Sequence, residues 1–134
     1  MKAVIDTNVI VSGVLKPKSI PAEILNLILS GKLLICADSR IINEYREVLS
    51  RDKFGFPSGL IDDLIYFIES TSILVSPPPI KLDLIDKGDL PFIEVAFYTG
   101  APIITGNKKH FQNVENIKIY NPKEFLNLYN NRSN

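Results

Sequence analysis

Three acidic residues of this sequence are candidates for binding a divalent cation. Asp6 ends an apolar run near the start of the chain, Glu44 lies in the stretch IINEYREVL, and Asp89 precedes Leu90-Pro91. Ionised carboxylates that lie together raise one another's pKa values, and a bound cation relieves their repulsion. Oxygen ligands without paired histidines or cysteines suit Mg²⁺ or Mn²⁺ better than Zn²⁺. If the three converge, they indicate metal-assisted cleavage of a phosphodiester.

Asn107 is a fourth candidate, because its amide oxygen follows the apolar run PIIT and Gly106, where a strand would break. Two of the candidates also have structural explanations. Asp6 could end a strand while Asn8 caps the next helix, and Asn107 could cap the short turn KKHF. Those explanations stay open at the level of sequence.

Glu44 and Asp89 have structural explanations as well. At about 100° per residue, Glu44 lies at the border of the apolar face of its helix. There it could simply pair with Arg40 or Lys32. Asp89 stands before a proline in a first helical turn and could act as an N-cap.

The elements that must position these residues alternate between strand and helix. Short apolar runs predict strands at residues 2–6, 33–36, 73–75, 102–105 and 117–120. Helical spacing and breakers predict helices at 8–15, 21–29, 38–51, 60–68, from 89 or 90 to about 98, and at 122–129. This order predicts an α/β fold, a three-layer α/β/α sandwich with a central parallel sheet. Ligands bind such sheets beyond the carboxyl ends of the strands, where Asp6 and Asn107 are expected.

Composition narrows the class of protein. The 134 residues predict a single domain, 1–134, and 46% of them are hydrophobic, which is enough for a core. Fifteen basic residues balance fifteen acidic ones, so net charge does not favour a nucleic-acid or membrane-surface binder. Cys36 is the only cysteine and is expected to be buried. Without an apolar leader or a spanning run, we expect a soluble cytoplasmic protein with no membrane partner.

Four segments in order resemble the PIN domain: VIDTNVIVSG, the helix carrying Glu44, DKGDLPFIEVA and IITGNKKHF. More closely, they resemble the PIN-family (VapC-like) toxins of prokaryotic toxin–antitoxin systems, over almost the whole chain. The resemblance implies a Rossmann-like α/β/α sandwich and a Mg²⁺- or Mn²⁺-dependent endoribonuclease acting on single-stranded RNA. It also implies a homodimer, and a small antitoxin protein as partner.

The resemblance carries Asp6, Glu44 and Asp89 over as acidic metal ligands. The fourth acid of many PIN domains matches Asn107 here, so the site is expected to have one negative charge fewer. Asp86 could supply that charge from the preceding loop.

Thr7 and Asn8 match polar residues that organise the site in the family. Because His110 is the only histidine, a two-histidine ribonuclease mechanism is impossible within one chain, and we take His110 as structural or peripheral. Contacts to RNA phosphates are expected from basic residues near the crevice. The candidates are Lys16, Lys18, Arg51, Lys53, Lys108 and Lys109.

Other functions find less support. A haloacid-dehalogenase-like phosphatase would have a second aspartate where Asn8 stands. A receiver domain would have a pair of acids before the strand that carries its phosphorylated aspartate, and no such pair precedes Asp6. No glycine-rich nucleotide-binding motif occurs. A non-catalytic PIN-like module that binds RNA or protein stays open, because Asn107 replaces an acid. The apolar helices at 21–29 and 60–68 are either a dimer face or core helices.

Overall fold

A computed structural model describes residues 1–82 and 86–132 of the chain. Within these residues the strands are β1 Lys2–Ile5, β2 Leu34–Ala37, β3 Ile73–Leu74, β4 Ile103–Ile104 and β5 Ile119–Tyr120. The helices are α1 Thr7–Leu15, α2 Ile20–Leu29, α3 Ser39–Leu49, α4 Ser58–Thr71, α5 Leu90–Thr99 and α6 Pro122–Arg132. Short 3₁₀ turns occupy Asp52–Phe54 and Lys108–Phe111.

The strands form one parallel sheet in the order β3-β2-β1-β4-β5. β1 is central and fully buried from Ala3 to Ile5, as expected of a parallel strand covered on both faces. The predicted three-layer α/β/α sandwich with a central parallel sheet is confirmed. The chain passes from β1 to β2 on one side and later to β4 on the other, so a crevice opens between the carboxyl ends of β1 and β4.

The predicted elements are present, with shifts at their ends. α1 begins at Thr7, so Asp6 is its N-cap residue rather than the last residue of β1. α4 begins at Ser58, directly after Pro57, and is longer at both ends than its apolar spacing indicated. The last two strands are two residues long, although the backbone hydrogen bonds from Val4 to Pro102 and from Thr105 to Tyr120 extend the pairing.

The apolar faces of α2 and α4 pack into the core. Ile24 and Ile28 of α2 are buried, as are Ile61, Ile65 and Ile68 of α4. The prediction of core helices is thus confirmed for these buried residues. Leu29 of α2 and Leu60 of α4 remain exposed, and the dimer face stays a prediction. The thiol of the single cysteine is buried as expected. In the described part of the chain, no helix is both long and apolar enough to cross a membrane.

Candidate active site

A crevice of about 240 Å³ opens at the carboxyl end of the sheet, beside β1 and β4. It receives side chains from the end of β1, the start of α1, the middle of α3, the turn before α5 and the loop after β4. The lining residues are Asp6, Thr7, Asn8, Glu44, Val48, Arg51, Asp86, Gly88, Asp89, Phe92, Asn107 and His110. The crevice is thus lined by the four candidate catalytic residues and by the three additional candidates. The four are Asp6, Glu44, Asp89 and Asn107, and the three are Thr7, Asn8 and Asp86.

Asp6 occupies the N-cap position of α1, but its carboxylate makes no capping hydrogen bond to the helix. It accepts a hydrogen bond of 2.7 Å from the Thr105 hydroxyl, which comes from the end of β4. Burial raises the pKa of Asp6, and the contacts with Thr105 and the Thr7 backbone oppose that rise only in part. Asn8 lies exposed within α1, so the proposed cap by Asn8 is wrong.

Glu44 faces the crevice because α3 is anchored at both its start and its middle. Asp38 caps the helix by accepting a hydrogen bond of 3.1 Å from the Ile41 N–H. The buried phenol of Tyr45 donates a hydrogen bond of 2.5 Å to the Ile5 carbonyl, which ties α3 to the end of β1. Burial, followed by the charges of Asp6 and Glu44, raises the pKa of Tyr45 well above its ordinary value.

The Glu44 carboxylate accepts a hydrogen bond from the Thr7 hydroxyl, at the first residue of α1. Arg40 instead pairs with Asp38 and Glu94. The structural explanation of Glu44 as the partner of Arg40 is therefore wrong, because that guanidinium is already engaged by two other acids.

Asp89 and Asp86 belong to one tight turn before α5. The Asp89 N–H donates to the Asp86 carbonyl at 2.9 Å, and the Gly88 N–H donates to the Asp86 carboxylate at 2.8 Å. The Asp89 carboxylate, although at the N-cap position, caps none of the described residues of the helix. Burial raises the pKa of Asp89, and the charges of Asp6, Asp86 and Glu44 add to the rise against the opposing effect of His110.

Asn107 begins the 3₁₀ turn after β4 through its backbone and not through its side chain. Its N–H donates to the Thr105 hydroxyl at 3.0 Å, and its carbonyl accepts from the His110 N–H at 3.2 Å. No hydrogen bond links the Asn107 amide to the described residues of the turn that it begins. Asn107 thus lines the crevice, and its side chain does not cap the turn.

His110 and Thr105 are the residues that sequence reasoning missed. The imidazole Nδ1 of His110 lies 3.5 Å from Oδ2 of Asp89, and His110 lines the crevice, which the prediction of a structural or peripheral residue did not anticipate. In a 3₁₀ turn, residues three apart lie on the same side, which would have placed His110 beside Asn107. Thr105 contacts both Asp6 and the Asn107 backbone, and its place at a strand end was the available signal.

The basic residues divide into two groups. Arg51 lines the crevice, where its guanidinium also lies 3.1 Å from Glu47. Lys108 instead pairs with Glu124 of α6 at 3.0 Å and does not line the crevice. The candidates that do not line the crevice, all within the described residues, are Lys16, Lys18, Lys53, Lys108 and Lys109.

The donor set of the crevice fits a hard divalent cation. One oxygen each of Asp6 and Glu44 is bound to a threonine hydroxyl, and among residues 1–82 and 86–132 no three His, Cys, Asp or Glu side chains form a finished ligand set. Oxygen donors nevertheless dominate the lining. Burial raises the pKa values of Asp6 and Asp89, and repulsion by the neighbouring carboxylates adds to the rise at Asp89. A bound cation would offset that repulsion, and carboxylate and amide oxygens are the ligands that Mg²⁺ and Mn²⁺ prefer.

Comparison with known proteins identifies the family. Residues 2–109 match the PIN domain. The chain belongs to the PIN domain family. The match includes all four candidate residues, from Asp6 to Asn107, and ends just before His110. The uncharacterized protein MJ1680 of Methanocaldococcus jannaschii is 33% identical over 140 aligned positions, covering 94% of this PIN domain chain and 90% of that protein.

Two solved structures share the fold of this PIN domain. A chain of VapBC2 from Rickettsia felis, bound to a DNA fragment from their promoter, superposes with a TM-score of 0.62 and 19% identity. The comparison covers 90% of this chain and 98% of that one. A chain of VapBC-1 from nontypeable Haemophilus influenzae has the same TM-score and 18% identity, covering 92% and 99%. The predicted membership of the PIN domain family is thus confirmed by the family match, and the two structures share its fold.

Proposed function

We propose that this PIN domain is a Mg²⁺- or Mn²⁺-dependent endoribonuclease that cleaves single-stranded RNA. One observation carries the proposal: Asp6, Glu44 and Asp89 come from three separate elements and line one crevice at the switch point of the sheet. None of the three side chains caps its helix or fills the core. Single-stranded RNA as substrate follows from the resemblance to PIN-family toxins.

Each group of the crevice has a role in this reaction. Asp6, Glu44 and Asp89 would hold the divalent cation, which supplies a water of lowered pKa and Lewis-acid stabilisation of the phosphodiester oxygens. Thr105 orients the Asp6 carboxylate through its hydrogen bond. Arg51, which also lines the crevice, offers a guanidinium to a substrate phosphate.

Cleavage of an unstructured RNA tests the proposal. We expect cutting of a circular RNA, which has no ends for an exonuclease, in Mn²⁺ and not in excess chelator. Asp6→Asn should remove the activity, whereas Asp62→Asn, a change of the same kind at an exposed residue of α4, should leave it intact. Cleavage that persists equally in Asp6→Asn would show that the crevice does not cut RNA.

We further propose that the chain is the toxin of a toxin–antitoxin pair, held inactive by a small antitoxin protein. The two structures that share its fold are VapBC assemblies, which supports this role. Induced expression should stop growth of a bacterial host, and Asp6→Asn should restore growth at equal protein level. Growth arrest of the same strength from Asp6→Asn would contradict toxicity by cleavage.

A non-catalytic PIN-like module is the second candidate, because Asn107 stands where many PIN domains have an acid. One negative charge fewer weakens attraction for a divalent cation in a partly desolvated crevice. Such a module would retain the RNA on a filter in Mn²⁺ without shortening it. Time-dependent cleavage under those conditions would eliminate this candidate.

A further inference from the structure

Glu94 is a buried carboxylate that does not line the catalytic crevice. It lies on α5, is 2% exposed, and has both oxygens engaged. Oε1 lies 2.8 Å from an Arg40 nitrogen, and Oε2 accepts a hydrogen bond of 2.7 Å from the Ile80 N–H. A buried carboxylate is tolerated only when it is paired and hydrogen-bonded in this way.

Arg40 extends the contact from α5 to α3. Its guanidinium binds the Asp38 carboxylate with two hydrogen bonds of 2.6 and 2.9 Å, and Asp38 is the N-cap of α3. These contacts with Asp38, then Glu94, raise the pKa of the Arg40 guanidinium. Asp38, Arg40 and Glu94, with the Ile80 N–H, form what we call the Arg40 bridge.

The Arg40 bridge connects the elements that carry the acidic residues of the crevice. Asp38 precedes Glu44 on α3 by less than two helical turns, and Glu94 follows Asp89 by just over one turn of α5. Ile80 lies on the segment that leads toward Asp86. Charge-assisted hydrogen bonds of this length are short and directional, so they fix the spacing of α3 and α5.

We propose that Glu94 and Arg40 are positioning residues, which set the separation of Glu44 and Asp89 and thereby the affinity of the crevice for a divalent cation. The inference rests on the proposed metal-dependent function. Neither residue touches the reacting groups. Both act through the helices that present the ligands, as supporting groups around metal sites do.

A role in stability alone makes a different prediction. A bridge that only stabilises the fold would lower the melting temperature when broken, while the folded variant would bind Mn²⁺ as the wild type does. A positioning bridge raises the dissociation constant for Mn²⁺ in the folded protein, at temperatures far below melting. Metal affinity in the folded state therefore separates the two roles.

Mn²⁺ binding to purified variants, followed by the electron paramagnetic resonance of free Mn²⁺, tests the inference. Glu94→Gln keeps the shape of the side chain and removes its charge, and we expect the dissociation constant to rise about tenfold. Arg40→Lys keeps the charge but loses the planar fork that holds two acids, and should act in the same direction. Asp62→Asn breaks the exposed ion pair with Arg46 of α3, and should bind Mn²⁺ as the wild type does.

The outcomes separate this inference from the proposed function. Asp6-dependent Mn²⁺ binding that Glu94→Gln and Arg40→Lys leave unchanged would overturn the positioning role and leave the proposed function standing. Wild-type protein that binds no Mn²⁺ through Asp6 would overturn both. If Glu94→Gln does not fold, as melting curves would show, Arg40→Lys decides alone, and unchanged affinity in that folded variant overturns the inference.

Discussion

At the scale of one residue, Asp6 shows how burial in the crevice disfavours the ionised form of a carboxyl group. Its carboxylate is desolvated at the end of the central strand, and burial raises its pKa above the ordinary value of 3.8. The hydrogen bond from Thr105 offsets this only in part. Burial also raises the pKa of Asp89, and the charges of three other carboxylates raise it further. Acidic residues whose pKa values are raised by burial in a crevice mark a candidate functional site with a physical reason.

Asp6→Asn should therefore abolish RNA cleavage while leaving the metal-free fold as stable as before, or more stable by up to about 1 kcal/mol. The amide keeps the shape of the carboxylate and removes its charge. Urea unfolding at pH 7 in chelator measures the stability, and the circular RNA assay measures the activity. A variant that unfolds would show that Asp6 is a structural turn residue.

The stability difference between Asp6→Asn and wild type should depend on pH. Since the folded state holds the Asp6 proton more tightly than the unfolded state, ionisation lowers stability as pH rises from 3.8 through the folded pKa. Any gain from Asp6→Asn should be complete above the folded pKa of Asp6 and should vanish as pH falls below 3.8. Urea unfolding in chelator across this range checks the sign. A gain that grows toward low pH would contradict the assigned pKa direction.

Asn107→Asp should lower the Mn²⁺ concentration needed for half-maximal cleavage. The added negative charge would lie in a partly desolvated crevice, where opposite charges attract strongly. Asn130→Asp, on the exposed side of α6, makes the same change in net charge and should have no effect. Identical metal dependence in Asn107→Asp and wild type would show that Asn107 takes no part in metal binding.

The sequence alone predicted, from residue types and spacing, that four residues gather at one edge of the sheet. They are Asp6, Glu44, Asp89 and Asn107. This was possible because the apolar spacing of their helices and strands is clear, and because the carboxyl ends of parallel strands lie at the same edge of a sheet. The roles of Thr105 and His110 could not be predicted in the same way. The hydrogen bond from Thr105 to Asp6 joins residues 99 apart in sequence, and the contact of His110 depends on the path of a short turn.

At the scale of elements, the crevice depends on how α3 meets β1. The Tyr45 phenol joins them directly, one residue from Glu44 and one residue from Asp6. The alternation of apolar runs predicted both elements. The specific bond to the Ile5 carbonyl could not be predicted, because it depends on the rotation of α3 against the sheet.

Tyr45→Phe should lower the free energy of unfolding by about 1 kcal/mol, because it removes one buried hydrogen bond and keeps the ring. Tyr66→Phe makes the same chemical change on α4, where the side chain is 75% exposed, and should have little effect. Chemical denaturation of both variants measures the difference. Equal stabilities of Tyr45→Phe and Tyr66→Phe would show that the phenol contributes nothing to anchoring α3.

At the scale of the whole molecule, the buried apolar side chains of α2 and α4 pack into the core. Their sequences could not distinguish a core face from a dimer face, because both require the same apolar spacing. Large apolar side chains nevertheless remain exposed, among them Leu29 of α2, Tyr66 of α4 and Phe97 of α5. The homodimer rests on the family resemblance.

Light scattering tests the homodimer. We expect a mass of twice the 15.0 kDa of one chain, because the VapC-like resemblance implies paired subunits. The measurement should be repeated over a hundredfold range of concentration, since a weak dimer dissociates on dilution. A single-chain mass at the highest concentration would remove the dimer from the account.

A crystal of the protein soaked in Mn²⁺ tests the central claim most directly. The anomalous scattering of manganese locates the ion without reference to activity or partner. The account predicts a peak in the crevice, within ligand distance of carboxylate oxygens of Asp6, Glu44 and Asp89. A soaked crystal whose crevice shows no such peak, or in which manganese binds away from all three carboxylates, would contradict the account.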